Sequence, residues 1–119
     1  MEGIYGVIKI SRSDAKKIIK EQGYTYLVGW SSPWDAWGEY WVKGDRCVFI
    51  HYNGRAGTDC SEIFKFSDPI SLASYIYAAE RGIIPFNKIA EAVKEVFGVD
   101  VSMSTTNKAI KQLFGEASK

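Results

Sequence analysis

The sequence predicts an α+β protein, in which a β-α-β-β-β-β antiparallel sheet is followed by three C-terminal helices. Three observations carry this prediction. Five short segments before residue 67 are rich in β-branched and aromatic residues and are separated by turn residues. One segment with helical spacing follows the first of them. After Asp68 the pattern changes to three helical segments bounded by proline and glycine.

Length and composition limit the class of protein. The 119 residues are 46% hydrophobic and 24% charged, as in an ordinary globular protein. We expect residues 1–67 and 68–119 to be two small parts, packed together, with a soft boundary near Ser67. No apolar run approaches the roughly 20 residues that cross a bilayer, and the first ten residues do not resemble a signal peptide. A cytoplasmic location without membrane contact is therefore expected.

The first half of the chain supplies the sheet. Residues 3–10 (GIYGVIKI) predict a buried strand, and the spacing of Ala15, Ile18 and Ile19 predicts a helix over 13–22. Residues 31–39 (SSPWDAWGE) are predicted to be a loop, because Pro33 and Gly38 interrupt the strand pattern. The other strands are predicted at residues 24–30, 39–43, 46–52 and 59–66. Short connections, one of them with Asn-Gly, favour an antiparallel meander.

The second half of the chain is predicted to be helical. Asp68 is a candidate N-cap and Pro69 suits a first helical position, which predicts a helix over 69–81. A second helix begins after Pro85 and stops at Gly98. A third is expected over residues 103–114.

The last two of these helices carry a recognisable pattern. An Ile-Ala pair lies in the first helix, a glycine and a β-branched residue form the turn, and Ser-x-Ser-Thr begins the second helix, whose apolar residues face inward. The matching residues are Ile89-Ala90, Gly98-Val99, Ser102, Ser104-Thr105, Ala109, Ile110 and Leu113. Residues 86–115 thus resemble the helix-turn-helix of transcription regulators and transposases. The resemblance implies a small DNA-binding regulator, acting as a homodimer, with the sheet used for dimerisation or sensing.

The outward face of the final helix supplies the candidate contacts to double-stranded DNA. These residues are Ser104, Thr105, Thr106, Asn107, Lys108 and Lys111. An asparagine can read an adenine edge, and lysines can contact phosphate or guanine. With 15 basic and 14 acidic residues the chain has no general attraction to nucleic acid, so a local patch must provide it. The alternative is that the helices only cover the sheet.

All four tryptophans fall within residues 30–41. Exposed indoles stack on bases, on sugars or on the apolar anchor of a partner. The candidate partner-binding residues are Trp34, Asp35, Trp37, Trp41 and Arg55. An alternative function is therefore a non-enzymatic interaction module, such as an accessory or viral protein that binds a host partner through this segment. A third interpretation is that the aromatic residues form a small core of their own.

Catalysis and metal binding have a narrow basis in this sequence. Alternation places Cys47, Phe49 and His51 on one face of a strand, with Cys60 across the hairpin. A Cys–His pair suits nucleophilic chemistry, but no third orienting group follows from the spacing. With one histidine and no CxxC or HExxH motif, we expect no catalytic residue, no metal and no cofactor. The two cysteines are expected to be free thiols.

Overall fold

A computed structural model describes residues 3–33, 35–55, 57–80 and 82–111. The elements are, in chain order, β1 (Ile4–Ile10), α1 (Arg12–Gln22), β2 (Thr25–Ser32), β3 (Ala36–Lys43), β4 (Arg46–Asn53), β5 (Thr58–Phe66), α2 (Pro69–Glu80), α3 (Phe86–Phe97) and α4 (Met103–Ile110). This order confirms the predicted α+β class. The predicted end of the last helix, at residue 114, lies outside the described residues.

The five strands form one antiparallel sheet in the order β1-β5-β4-β3-β2. Strands β2 to β5 are the expected meander, and β1 joins it beside β5. Because β1 and β2 lie at opposite edges, α1 carries the chain across one face of the sheet. Ala15 of α1 packs there with Val48 and Ile50 of the central strand β4. Ser11 caps the helix, its Oγ accepting from the backbone N–H of Asp14 at 3.1 Å.

The predicted loop over residues 31–39 is wrong, because strand structure occupies most of it. Strand β2 continues to Ser32 and β3 begins at Ala36, so only three residues lie between the two strands. Burial alternates along β3, with Ala36 and Gly38 on its buried side. The alternation is not apparent in the sequence, because the buried positions Ala36 and Gly38 are small residues and not large apolar ones. At Gly38 a Cβ would lie 2.7 Å from Nε1 of Trp30, so the glycine makes room for an indole from the neighbouring strand.

The prediction of a buried first strand is also wrong. Strand β1 lies at the edge of the sheet, and three of its large apolar side chains are exposed. They are Tyr5, Val7 and Ile8, and Ile8 is 59% exposed. Apolar composition does not distinguish a buried strand from an exposed edge strand, since both accept β-branched residues.

The chain forms two compact units. The sheet unit is Gly6–Lys65, and the helical unit joins the described parts of Met1–Tyr5 and Phe66–Lys119. In the helical unit α2 packs against α3 and α4, and the fully buried side chains include Leu72, Ile76 and Ile89. The Asp68 carboxylate accepts from the backbone N–H of Ser71 at 2.8 Å and so caps α2. None of the helices within the described residues has the length and apolar character needed to span a bilayer.

Candidate functional site

The turn from α3 into α4 is well defined by its backbone. Gly98 ends α3 in the left-handed conformation, with φ 72°. Ser102 then caps α4: its Oγ accepts from the backbone N–H of Thr105 at 3.2 Å. The Thr105 hydroxyl accepts from the backbone N–H of Ser102 at 3.3 Å, which completes a capping box. The first turn of α4 is therefore fixed by its own side chains.

Five of the six candidate DNA contacts are exposed on α4 and at its end. They are Ser104, Thr105, Asn107, Lys108 and Lys111. The predicted outward position of Thr106 is wrong, because its side chain is 0% exposed. Helical periodicity places Thr106 one turn before the buried Ala109, on the side of α4 that packs against α2. Its hydroxyl has no hydrogen-bond partner among the described residues.

An acidic groove lies beside α4 in the same helical unit. It has a volume of about 510 Å³ and is lined by Ala90, Glu91, Lys94, Glu95, Asp100 and Val101. Lys94 is already paired with Asp100 at 2.8 Å, so the remaining charge of the groove is that of Glu91 and Glu95. Phosphates are repelled from this side. Among the described residues of α3 and α4, the exposed lysines of the outward face of α4 therefore attract an anion more than this groove does.

The tryptophan-rich segment does not form a single surface. Trp30 lies on β2, where its ring contacts His51 with centroids 5.6 Å apart. Trp37 and Trp41 project from the opposite face of the sheet and pack partly against the α1 core. Trp34 lies outside the described residues. Asp35 and Arg55 belong to two hairpin tips that meet, since the N–H of Gly54 donates to the carbonyl of Asp35 at 3.2 Å.

Trp37 and Trp41 are part of a surface that the sequence analysis missed, which we call the aromatic ledge. It consists of the rings of Tyr26, Trp37 and Trp41 on the sheet and the cations Arg12, Lys16 and Lys20 on α1. Lys16 Nζ lies 5.5 Å from the centre of the Trp37 ring. The Arg12 guanidinium stacks 4.3 Å from the centre of the Tyr52 ring and pairs with Asp59 at 3.4 Å. The spacing of the three cations, four residues apart on a helix, was the signal that could have revealed it.

His51 lies in a row of rings on the other face. The His51 ring stacks on Phe49, with centroids 5.9 Å apart, and Cys60 lies directly across the hairpin as predicted. Lys9 Nζ is 3.9 Å from the Cys60 Sγ and 3.8 Å from a Glu62 carboxylate oxygen. Burial raises the pKa of the Cys47 thiol far above its ordinary value, so this sulfur stays protonated.

In the part of the chain that the structure describes, no three His, Cys, Asp or Glu side chains are grouped so that they could hold a metal ion. The row of rings around His51 is accounted for by packing of aromatic side chains.

Known proteins give no further guide to these surfaces. Comparison of the chain with protein-family models, with curated proteins and with solved structures finds no match.

Proposed function

We propose that this protein is a small DNA-binding regulator that inserts the N-terminal half of α4 into the major groove of a duplex. One observation carries the proposal. The exposed side of α4 bears polar and basic side chains after Met103, which is itself 39% exposed, while the other side, with Thr106 and Ala109, packs inward. An α-helix with its side chains is about 10–12 Å in diameter, which suits a major groove about 12 Å wide.

Each exposed side chain has a chemical role in this proposal. Asn107 presents both a donor and an acceptor and so matches the edge of an adenine. Lys108 and Lys111 neutralise phosphates or donate to guanine. Ser104 and Thr105 lie in the first turn, where hydroxyl groups and helix N–H groups bind phosphate oxygens. The acidic groove disfavours orientations of the helical unit that bring Glu91 and Glu95 against a duplex.

Fluorescence anisotropy with a labelled mixed-sequence duplex of about 30 base pairs tests the proposal. We expect binding that weakens with salt, and Lys108→Ala to lower the slope of log K against log salt by about 1 because one phosphate contact is lost. Thr106→Val is the matched control, since it changes the buried side of the same helix turn. Its affinity should equal that of the parent.

Two results would contradict DNA binding by α4. One is a parent protein that binds no duplex even at low salt. The other is an equal loss of affinity in Thr106→Val and Lys108→Ala, which would point to helix stability and not to contact.

The proposal includes a homodimer, and β1 is the edge at which a second copy would pair. An exposed, apolar edge strand is a ready template for another strand. We expect Ile8→Lys to lower the sedimentation coefficient of the parent to that of a monomer. Ile83→Lys is the control, because Ile83 is 58% exposed, nearly the same fraction as Ile8, but belongs to the segment between α2 and α3 and not to a strand. A monomeric parent, or equal dissociation of both variants, would count against pairing through β1.

A further inference from the structure

We infer that the aromatic ledge of the sheet unit binds single-stranded nucleic acid. The inference is independent of the function proposed for α4, since all the residues of the ledge belong to Gly6–Lys65. It rests on three features of the ledge: the charge of one side of α1, the aromatic floor beside it, and the disposition of the carboxylates nearby.

The exposed surface of α1 is divided by charge. Arg12, Lys16 and Lys20 follow one another at intervals of four residues and therefore lie along one side of the helix. The acidic residues Asp14 and Glu21 are seven residues apart and lie on the opposite side. Because Lys16 contacts the ring of Trp37, the basic side is the one that faces β3. The helix thus presents a row of cations along the edge of the exposed aromatic residues.

The floor of the ledge consists of rings that are fixed from below. Trp37 and Trp41 pack on one side against the core formed with Val48 and Ile50, and each remains partly exposed. Tyr26 is 45% exposed and meets Trp41 edge to face, with centroids 5.4 Å apart. Rings held in this way provide stacking surfaces without a further loss of side-chain entropy.

Of the two carboxylates near the ledge, Asp59 is paired with a cation, whereas Glu39 keeps its negative charge on β3 between Trp37 and Trp41. Glu39 accepts a hydrogen bond from the indole Nε1 of Trp41 at 3.0 Å, and Asp59 pairs with Arg12. Lys43, at the far end of β3, donates to the carbonyl of Gln22 at 2.6 Å and adds a further exposed cation. A chain that binds here meets positive charge on the helix side and aromatic rings below.

This combination matches a single strand better than a duplex. The flat faces of bases are accessible only where they are unpaired, and they stack on tryptophan and tyrosine. The phosphates of the same strand are attracted by Lys16 and Lys20. An acidic peptide would use the cations but gains little from a row of aromatic rings. The sequence analysis left open that a protein partner binds this segment, and the experiments below distinguish such a partner from single-stranded nucleic acid.

The first test measures binding of a labelled oligothymidine of about 15 nucleotides to the full chain by fluorescence anisotropy. The variant Lys16→Glu/Lys20→Glu reverses the charge of the ledge. Lys17→Glu/Lys65→Glu makes the same change in net charge at two exposed lysines outside it. We expect the dissociation constant to rise about tenfold or more in the first double variant and less than about twofold in the second. Equal effects would overturn the inference.

A second probe separates stacking from charge. An abasic oligonucleotide of the same length keeps the phosphates and removes the bases, and we expect it to bind about tenfold more weakly and to quench tryptophan fluorescence less. Equal binding of the abasic strand, or of polyglutamate, would overturn the inference in favour of a general polyanion or an acidic protein partner. Lys108→Ala should leave oligothymidine binding unchanged. Failure of this inference is therefore distinguishable from failure of the proposal for α4.

Discussion

Replacing Gly29 with alanine is expected to lower the free energy of unfolding of the sheet unit by about 3 kcal/mol. A Cβ at this position would lie 2.5 Å from the backbone oxygen of Gly38 and 2.8 Å from the Tyr26 hydroxyl. The nearer obstacle is the backbone of the adjacent strand, paired with β2 through Gly29 and Glu39. Relief of the overlap therefore requires the strands to separate, because no side-chain rotation removes it.

Urea unfolding followed by tryptophan fluorescence measures this effect, since all four tryptophans lie in the sheet unit. Gly38→Ala is the informative comparison, because its Cβ would meet the Trp30 side chain and not the backbone. We expect Gly38→Ala to lower the free energy of unfolding less when Trp30→Leu is also present. In contrast, Tyr26→Phe should restore little of the stability lost in Gly29→Ala. If Gly29→Ala lowers the free energy of unfolding by less than about 1 kcal/mol, the two strands can shift to accommodate the methyl group and the prediction is wrong.

Raising the pH from about 9 to about 11 is expected to destabilise the sheet unit by about 2 kcal/mol through Cys47 alone. The thiol is fully buried, and burial raises its pKa above the ordinary value of 9.0. The unfolded chain therefore releases this proton at a lower pH than the folded chain does. Stability from this group is complete below the pKa of the unfolded chain and is lost as the pH rises above it.

The same urea measurement over a series of pH values tests this expectation. Cys47→Ala should make the dependence on pH shallower by about 1 kcal/mol per pH unit above pH 9, although it also lowers stability at neutral pH by leaving a cavity. Cys60→Ala is the control, because Cys60 is only partly buried. Burial also raises the pKa of Tyr24, so some alkaline destabilisation should remain. Equal slopes in the two variants would contradict the role of Cys47.

Most of the fold followed from local patterns. The candidate cap at Asp68 and the stop at Gly98 located helix ends, because these residues meet backbone requirements that act within one turn. The errors occurred where tertiary packing decides. Gly38 has the sequence character of a loop, yet it lies within β3 because an indole from β2 fills its place. The exposure of β1 depends on its position at the sheet edge, which its own residues do not encode.

The candidate sites were predictable only in part. The residues of α4 were assigned outward as one segment, and Thr106 was misplaced because helical periodicity returns it to the buried side with Ala109. The ledge was missed for a different reason. Trp37 and Arg12 are far apart in the sequence, and only the course of α1 across the sheet brings cation and ring together.

The N-terminal strand has a consequence for how the chain acquires its structure during synthesis. Residues 6–65 are contiguous, so the sheet unit has all its own residues once β5 has been made. Gly3 does not belong to this contiguous unit. Its carbonyl accepts from the N–H of Ser67 at 2.8 Å, and Ser67 is translated more than sixty residues after Gly3. The residues next to Gly3 are thus translated long before the segment that Gly3 contacts, and until that segment is made their apolar side chains stay available to chaperones.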